Sequence, residues 1–316
     1  VSTAGGTVNL LTTGAVTEAA TGKVIADTLI GTVNGNMQLS ASNANAIATL
    51  GDFAVTGGTL ALKDSVALSV TGAVSGTDVA LTSTAAGTAL SVAGTVDASG
   101  TASLAATVGK LDITSTGTVS GATAVVLNGA AGITETGVLS GGTLSGGSTA
   151  GGASLTGAAT TQNDIAALGD FSTKLDFVLD DATVLHVTGT VMAPNVSLTS
   201  IVGETSVIVS GTVLATGTAS LTSTLGAIDI TATGTVSGSD AVVLQAREAL
   251  SGEGVVVAGV LSGGSTRSSA SLTGANLITS LGSFSAAGDV TVANGQALTV
   301  TGPVGGADIT LSASGS

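Results

Sequence analysis

Apolar and polar residues alternate with a period of two in short runs along this chain. Leu68 and Val70 share one side and Ser69 and Thr71 the other; Val79 and Leu81 repeat the pattern, with Ala80 and Thr82 opposite. Such runs, bounded by Gly and Ser, predict β-strands joined by turns. Between two such runs lies a short step in which Val follows Gly by two residues: Gly72/Val74, Gly94/Val96, Gly117/Val119, Gly189/Val191, Gly211/Val213, Gly234/Val236 and Gly302/Val304. Gly at a corner admits a positive φ or a tight bend without a Cβ clash, and the Val is expected to turn inward. Three short strands per unit and a roughly triangular cross-section follow.

The unit recurs. "LSVTGAVSG" from Leu68, "LSVAGTVDASG" from Leu90, "LDITSTGTVSG" from Leu111 and "ITETGVLSG" from Ile133 are spaced by 22, 21 and 22 residues. Leu81, Leu104 and Leu127 keep pace, as do Leu185, Val207 and Ile228, then Leu198, Leu221 and Leu244. A period of about 22 residues in strand-forming sequence is the mark of a β-solenoid. A lone coil cannot satisfy its own N–H and C=O groups, so coils stack through parallel ladders about 4.8 Å apart, with like residues over like. The crossover rule favours a right-handed coil. The expected fold is therefore all-β, a right-handed parallel β-helix without helical segments. About 14 coils would extend on the order of 65 Å.

A longer repeat contains the short one. "LDITSTGTVSG" at residues 111–121 returns as "IDITATGTVSG" 117 residues later (Ile113 to Ile230), and "LGDF" at residues 50–53 returns at 168–171 and as "LGSF" at 281–284. The chain reads as one continuous solenoid, residues 1–316, with long repeats at approximately 1–53 (partial), 54–171, 172–284 and 285–316 (partial). Both ends fall inside a long repeat, which suggests a segment of something longer. The asparagines Asn34, Asn36, Asn43 and Asn45 suggest turns that tolerate left-handed backbone. Residues 141–157, rich in small side chains, read as a widened coil anchored by Leu144 and Leu155.

Composition narrows the options. The chain has no Cys, Trp or Tyr and only four Phe, so its core must be thin. Gly lacks a three-residue period, which excludes collagen. Hydrophobic content of 43% excludes a disordered chain. No apolar run reaches membrane-helix length, and a membrane barrel would need aromatic girdles. A net charge of −14 with six scattered basic residues argues against a nucleic-acid partner. Residues 1–10 carry neither the basic nor the apolar region of a signal peptide.

Candidate chemistry is sparse. His186, the single histidine, stands between Leu185 and Val187 where its repeat counterparts are Ser69 and Thr299, so it is expected to face outward. Asp78, Asn195 and Asp308 occupy one place in the coil, and Asp112 and Asp229 another. A catalytic set would be unique to one coil; these recur, as turn and edge residues would. Asp180 and Asp181 form the adjacent acidic pair, near Asp176 and Lys174. Asp181 is matched by Asp64, while Asp180 falls opposite Lys63 and breaks the pattern. A carbohydrate-cleaving site would need two carboxylates set across a scissile bond and usually stacking aromatics. Gly22-Lys23 lacks Walker A spacing, "GGSTAGG" lacks the Asp of calcium-binding nonapeptides, and Asn195-Val196-Ser197 is a glycosylation sequon. Thr-x-Thr triplets at 114–116, 134–136 and 231–233 are interrupted in neighbouring coils, so no ice-binding row forms. No catalytic residue, cofactor or metal ligand is expected.

The "LSVTGxVSGxxVxLTS" coils resemble the repetitive β-solenoid shafts of filamentous-haemagglutinin-like and related β-strand-repeat bacterial adhesins. The resemblance covers essentially the whole chain through period, composition and pattern. It implies a right-handed parallel β-helix, an extracellular or cell-surface location, and a structural role in adhesion, biofilm matrix or filament formation. The implied partners are copies of itself, end-to-end or laterally, the rest of a longer chain, or cell-surface glycans. The alternative readings are a carbohydrate-active β-helix enzyme and a sugar- or ice-binding solenoid.

Overall fold

The computed structural model describes residues 1–3, 5–158, 162–201 and 205–314. Over these the chain is an all-β parallel β-solenoid of about 14 turns, with coils about 21 residues apart and no helix. With no helix there is none long and apolar enough to cross a membrane. The chain comprises two compact units, residues Val1–Asp164 and Ile165–Ser316.

In the first unit a typical coil consists of the strands Leu68–Val70, Ala73–Gly76 and Val79–Ser83. Each strand stacks in register on its counterparts. Leu68, Leu90, Leu111 and Ile133 form one column. Val74, Val96, Val119 and Leu139 form the second, and Leu81, Leu104 and Leu127 the third. The second unit repeats the plan with Leu185–Val207–Ile228–Leu250, Val191–Val213–Val236–Val256 and Leu198–Leu221–Leu244. These side chains are buried, and the residues between them face outward, as the period of two requires. The ladder also runs on through the corners: Ala93 N donates to Val70 O at 2.9 Å and Thr95 N to Gly72 O at 3.0 Å. Few backbone groups therefore depend on solvent at the bends.

The corner glycines are needed for close approach. None of Gly72, Gly94, Gly117, Gly189, Gly211, Gly234 or Gly302 has a positive φ. A Cβ on any of them would instead run into backbone of the preceding coil or the same turn, Gly189 O in the case of Gly211. Of the two roles glycine could play at these corners, steric clearance is the one in use. The four phenylalanines are all buried, and two are register partners of a glycine: Phe53 of Gly31 and Phe284 of Gly263. Phe171 and Phe177 stack with centroids 4.5 Å apart. Residues 141–157 form no projecting loop. Their strand Val138–Ser148 pairs along its length with Thr118–Gly129, and Leu144 and Leu155 are wholly buried.

Candidate functional site

The residues that recur with the repeat are committed to holding coils together. Asp78 Oδ1 accepts from Thr101 N at 2.9 Å in the next coil, and Asn195 Oδ1 accepts from Thr218 N at 2.9 Å in the same way. The sequon asparagine is thus engaged, and its Nδ2 donates to Asp176 Oδ1 at 2.9 Å. The outward pair Asp112 and Thr134 is joined at 2.5 Å, and Asp229 and Ser251 at 2.6 Å. Thr116 and Thr233 donate to Ala93 O and Ser210 O of the preceding coil, at 2.8 and 3.0 Å, which turns their hydroxyls toward backbone. His186 is half-buried on the outer face, its Nε2 2.9 Å from Ser210 Oγ. Ser210 Oγ also donates to Val187 O at 3.3 Å. No group of three or more His, Cys, Asp or Glu that could hold a metal occurs among the described residues.

Asn45, expected at a turn, and the paired aspartates Asp64 and Asp181 lie inside. Asn45 is wholly buried, not the tip of a left-handed turn. Asp181, the nominal partner of Asp180, is also wholly buried, as is its counterpart Asp64. Their strands explain this. Leu60–Asp64 and Phe177–Asp181 alternate inward from their first residue, so the fifth position also points in. Asp180 is half-buried on the opposite side of its strand, so the two carboxylates of the pair never share a face.

These inward groups belong to a polar corner that recurs along the solenoid. In the first unit Asn45 Oδ1 accepts from Val24 N at 2.7 Å, and its Nδ2 donates to Leu39 O, Lys63 O and Glu18 Oε2 at 3.1, 3.1 and 3.2 Å. Glu18 Oε2 also accepts from Ser42 N at 3.1 Å, while Oε1 is buried with no hydrogen-bond partner. One coil on, Asp64 accepts from Ile47 N at 2.9 Å and Val66 N at 3.1 Å. Burial pushes the Asp64 carboxyl up from 3.8 to about 6, against the opposing pull of backbone donors from Ile47, Val66 and Ser65. Later in the same unit Asn163 accepts from Leu139 N at 2.8 Å and donates to Glu135 Oε2 at 3.0 Å. In the second unit Asp181 accepts from Ile165 N at 2.9 Å and Thr183 N at 3.0 Å. Near the far end of that unit the corner has changed chemistry. Asn276 and Asn294 hold the asparagine and aspartate places, and Gly252 stands where the glutamate stood, 117 residues after Glu135.

This arrangement satisfies interior backbone where coils change direction, and it offers a substrate nothing. Both oxygens of Asp64 and of Asp181 are occupied by donors, and the side chains are sealed from solvent. The carboxylate pair that a glycosidase reading would use is therefore not assembled at Asp180 and Asp181.

Fold and corner together define the chain as a repeat protein of the parallel β-solenoid class. No family model, curated protein or solved structure matches it.

Proposed function

We propose that the chain is the structural shaft of a bacterial extracellular fibre or adhesin, serving adhesion, biofilm matrix or filament formation. The observation that carries this reading is the stacking of like residues in register within each unit, seen in the columns Leu68–Leu90–Leu111–Ile133 and Leu185–Val207–Ile228–Leu250. The bonds made by Asp78, Asn195, Asn45 and Asn163 join one coil to the next, as suits an element that carries tension. A parallel ladder spreads tension over many backbone hydrogen bonds, each net about 1 kcal/mol.

Its partners on this reading are further coils, either from the rest of a longer chain or from a second copy. Electron microscopy of the complete native protein, expressed at its natural location, tests the proposal. Filaments or surface projections containing this segment are expected; compact, isolated particles would refute it.

A further inference from the structure

A shallow groove runs across successive coils of the second unit. One part, about 570 Å³, is lined by Gln245, Thr266 and Ser285 with the glycines Gly263 and Gly264. The adjoining part, about 360 Å³, shares Gln245 and Thr266 and adds Thr222, Thr224, Arg247 and Arg267. Arg247 and Arg267 are the only arginines in a chain of net charge −14. They project from consecutive coils, since Ala246 and Ser265 are register partners and Thr266 N donates to Ala246 O at 3.0 Å. Guanidinium groups are the side chains best fitted to bind carboxylates and sulfates through paired donors.

The fold does not require these arginines. In the preceding long repeat the same places, 117 residues earlier, hold Ala130 and Ala150; Thr224 and Thr266 persist as Thr107 and Thr149, while Ala105 stands in the place of Thr222. The core beneath is the same in both, with Leu127 and Leu244 each wholly buried. Nor are the charges consumed internally. The one ion pair among the described residues joins Arg267 to Glu248 at 4.0 Å, with both side chains about half exposed, at 58% and 41%. Such a contact is long, screened and easily exchanged. Arg247 makes no ion pair among the described residues.

We propose that this groove binds an acidic polysaccharide, with Arg247 and Arg267 taking carboxylate or sulfate groups and the Gln245 amide and neighbouring threonine hydroxyls taking sugar hydroxyls. Nucleic acid fits less well. No aromatic side chain among the described residues is exposed for base stacking, since all four phenylalanines are buried. The site is independent of the shaft role, because an inert shaft would have no use for it and an adhesive one could carry its ligand elsewhere.

The test compares the protein with its Arg247→Ala/Arg267→Ala variant, which restores the residues of the preceding repeat and should leave the circular-dichroism spectrum and thermal transition unchanged. Calorimetric titration would use a chondroitin sulfate octasaccharide, a polygalacturonate octamer, a neutral dextran octamer and an oligothymidylate of matching charge. Expected are binding of one or both acidic sugars, weakened by at least about tenfold in the variant and by added salt, with little binding of dextran or oligothymidylate. Binding of neither acidic sugar, equal binding by the variant, or oligothymidylate binding as tight as the sugars would each overturn the assignment.

Discussion

The polar corner built by Glu18, Asn45 and Asp64 and the one built by Gly252, Asn276 and Asn294 solve one problem with different charges. In both, the asparagine makes the same backbone bonds: Val24 N to Asn45 Oδ1 is matched by Val256 N to Asn276 Oδ1, at 2.7 and 2.8 Å. The amide donations to Leu39 O and Lys63 O are matched by those to Leu272 O and Ala293 O. Ile47 N reaches Asp64 Oδ1 at 2.9 Å, and Ile278 N reaches Asn294 Oδ1 at 2.8 Å. The amide is therefore what the backbone requires, and the two acids of the first corner are dispensable variants on it. The difference teaches that charge in this interior is tolerated and not needed.

The largest effect should come from removing what the corners share. Asn45→Leu strands Val24 N–H and the carbonyls of Leu39 and Lys63 in a buried place, at about 1–3 kcal/mol for each unsatisfied group, so roughly 5 kcal/mol is expected. Asn276→Leu should cost about the same, although no carboxylate stands beside it. Urea unfolding, read with amide exchange at Val24 and Val256, checks this. A much smaller loss at Asn276 would show that the glutamate contact, and not the backbone bonds, is what matters at Asn45.

Next in size is an attempt to convert the neutral corner into the acidic one. A Cβ added at Gly252 would lie 2.7 Å from Leu272 Cδ2, so the neighbouring leucine already fills the space a glutamate would need. Gly252→Glu combines overpacking, at about 1–3 kcal/mol, with burial of a carboxylate that Asn276 can only partly compensate. A loss of about 4 kcal/mol is expected in the same unfolding assay. A neutral result would mean that the two corners are interchangeable, contrary to the packing.

The reverse change is gentler and shows itself in pH dependence. Asp64 has its folded-state value raised to about 6 from 3.8. The folded state therefore holds this proton more tightly than the unfolded state does. Its stabilising contribution is complete below about pH 3.8 and is lost as pH rises through about 6, by ~3 kcal/mol in all. Asp64→Asn, which copies Asn294, should remove that component from a stability profile measured between pH 4 and 8. The variant should then be the more stable protein at the alkaline end, less roughly 1 kcal/mol if Val66 N–H loses its acceptor. A profile as steep as that of the parent would place the titration on another group.

Much of this was legible in the residues alone. The columns led by Leu68 and Val74, the corner glycines, and the recurrence of Asp78 as Asn195 all follow from periodicity and spacing. The polar corner is less plain in the sequence, although parity carries it. Leu60, Leu62 and Asp64 sit at alternate positions, as do Phe177, Leu179 and Asp181, so the same rule that sends the leucines inward sends the aspartates with them. Chemical habit, which places carboxylates in water, points the other way, and only tertiary donors such as Ile47 N and Ile165 N reverse it. Asn45 was hidden differently: its neighbours, "SASNANAI", have turn composition, and its inward bonds go to residues far along the chain. The groove bearing Arg247 and Arg267 has its signal in sequence as well, in two positions where the long repeat changes alanine to arginine. It became a site only when stacking placed those positions on adjacent coils.

The smallest expected effect lies on the outside of the coils, where the two units also differ. His186 occupies the place of Ser69, on a strand whose flanking residues Leu185 and Val187 are wholly buried. Its ring adds the one contact to Ser210 Oγ, whose hydroxyl already has Val187 O as acceptor. His186→Ser returns the residue of the earlier repeat. It leaves the column Leu185–Val207–Ile228 untouched and removes a half-exposed hydrogen bond, so the urea midpoint should correspond to a change of no more than about 0.5 kcal/mol. A loss above roughly 2 kcal/mol would put part of the solenoid's stability in its outer face, and the contrast between interior corners could no longer be taken to govern how these coils hold together.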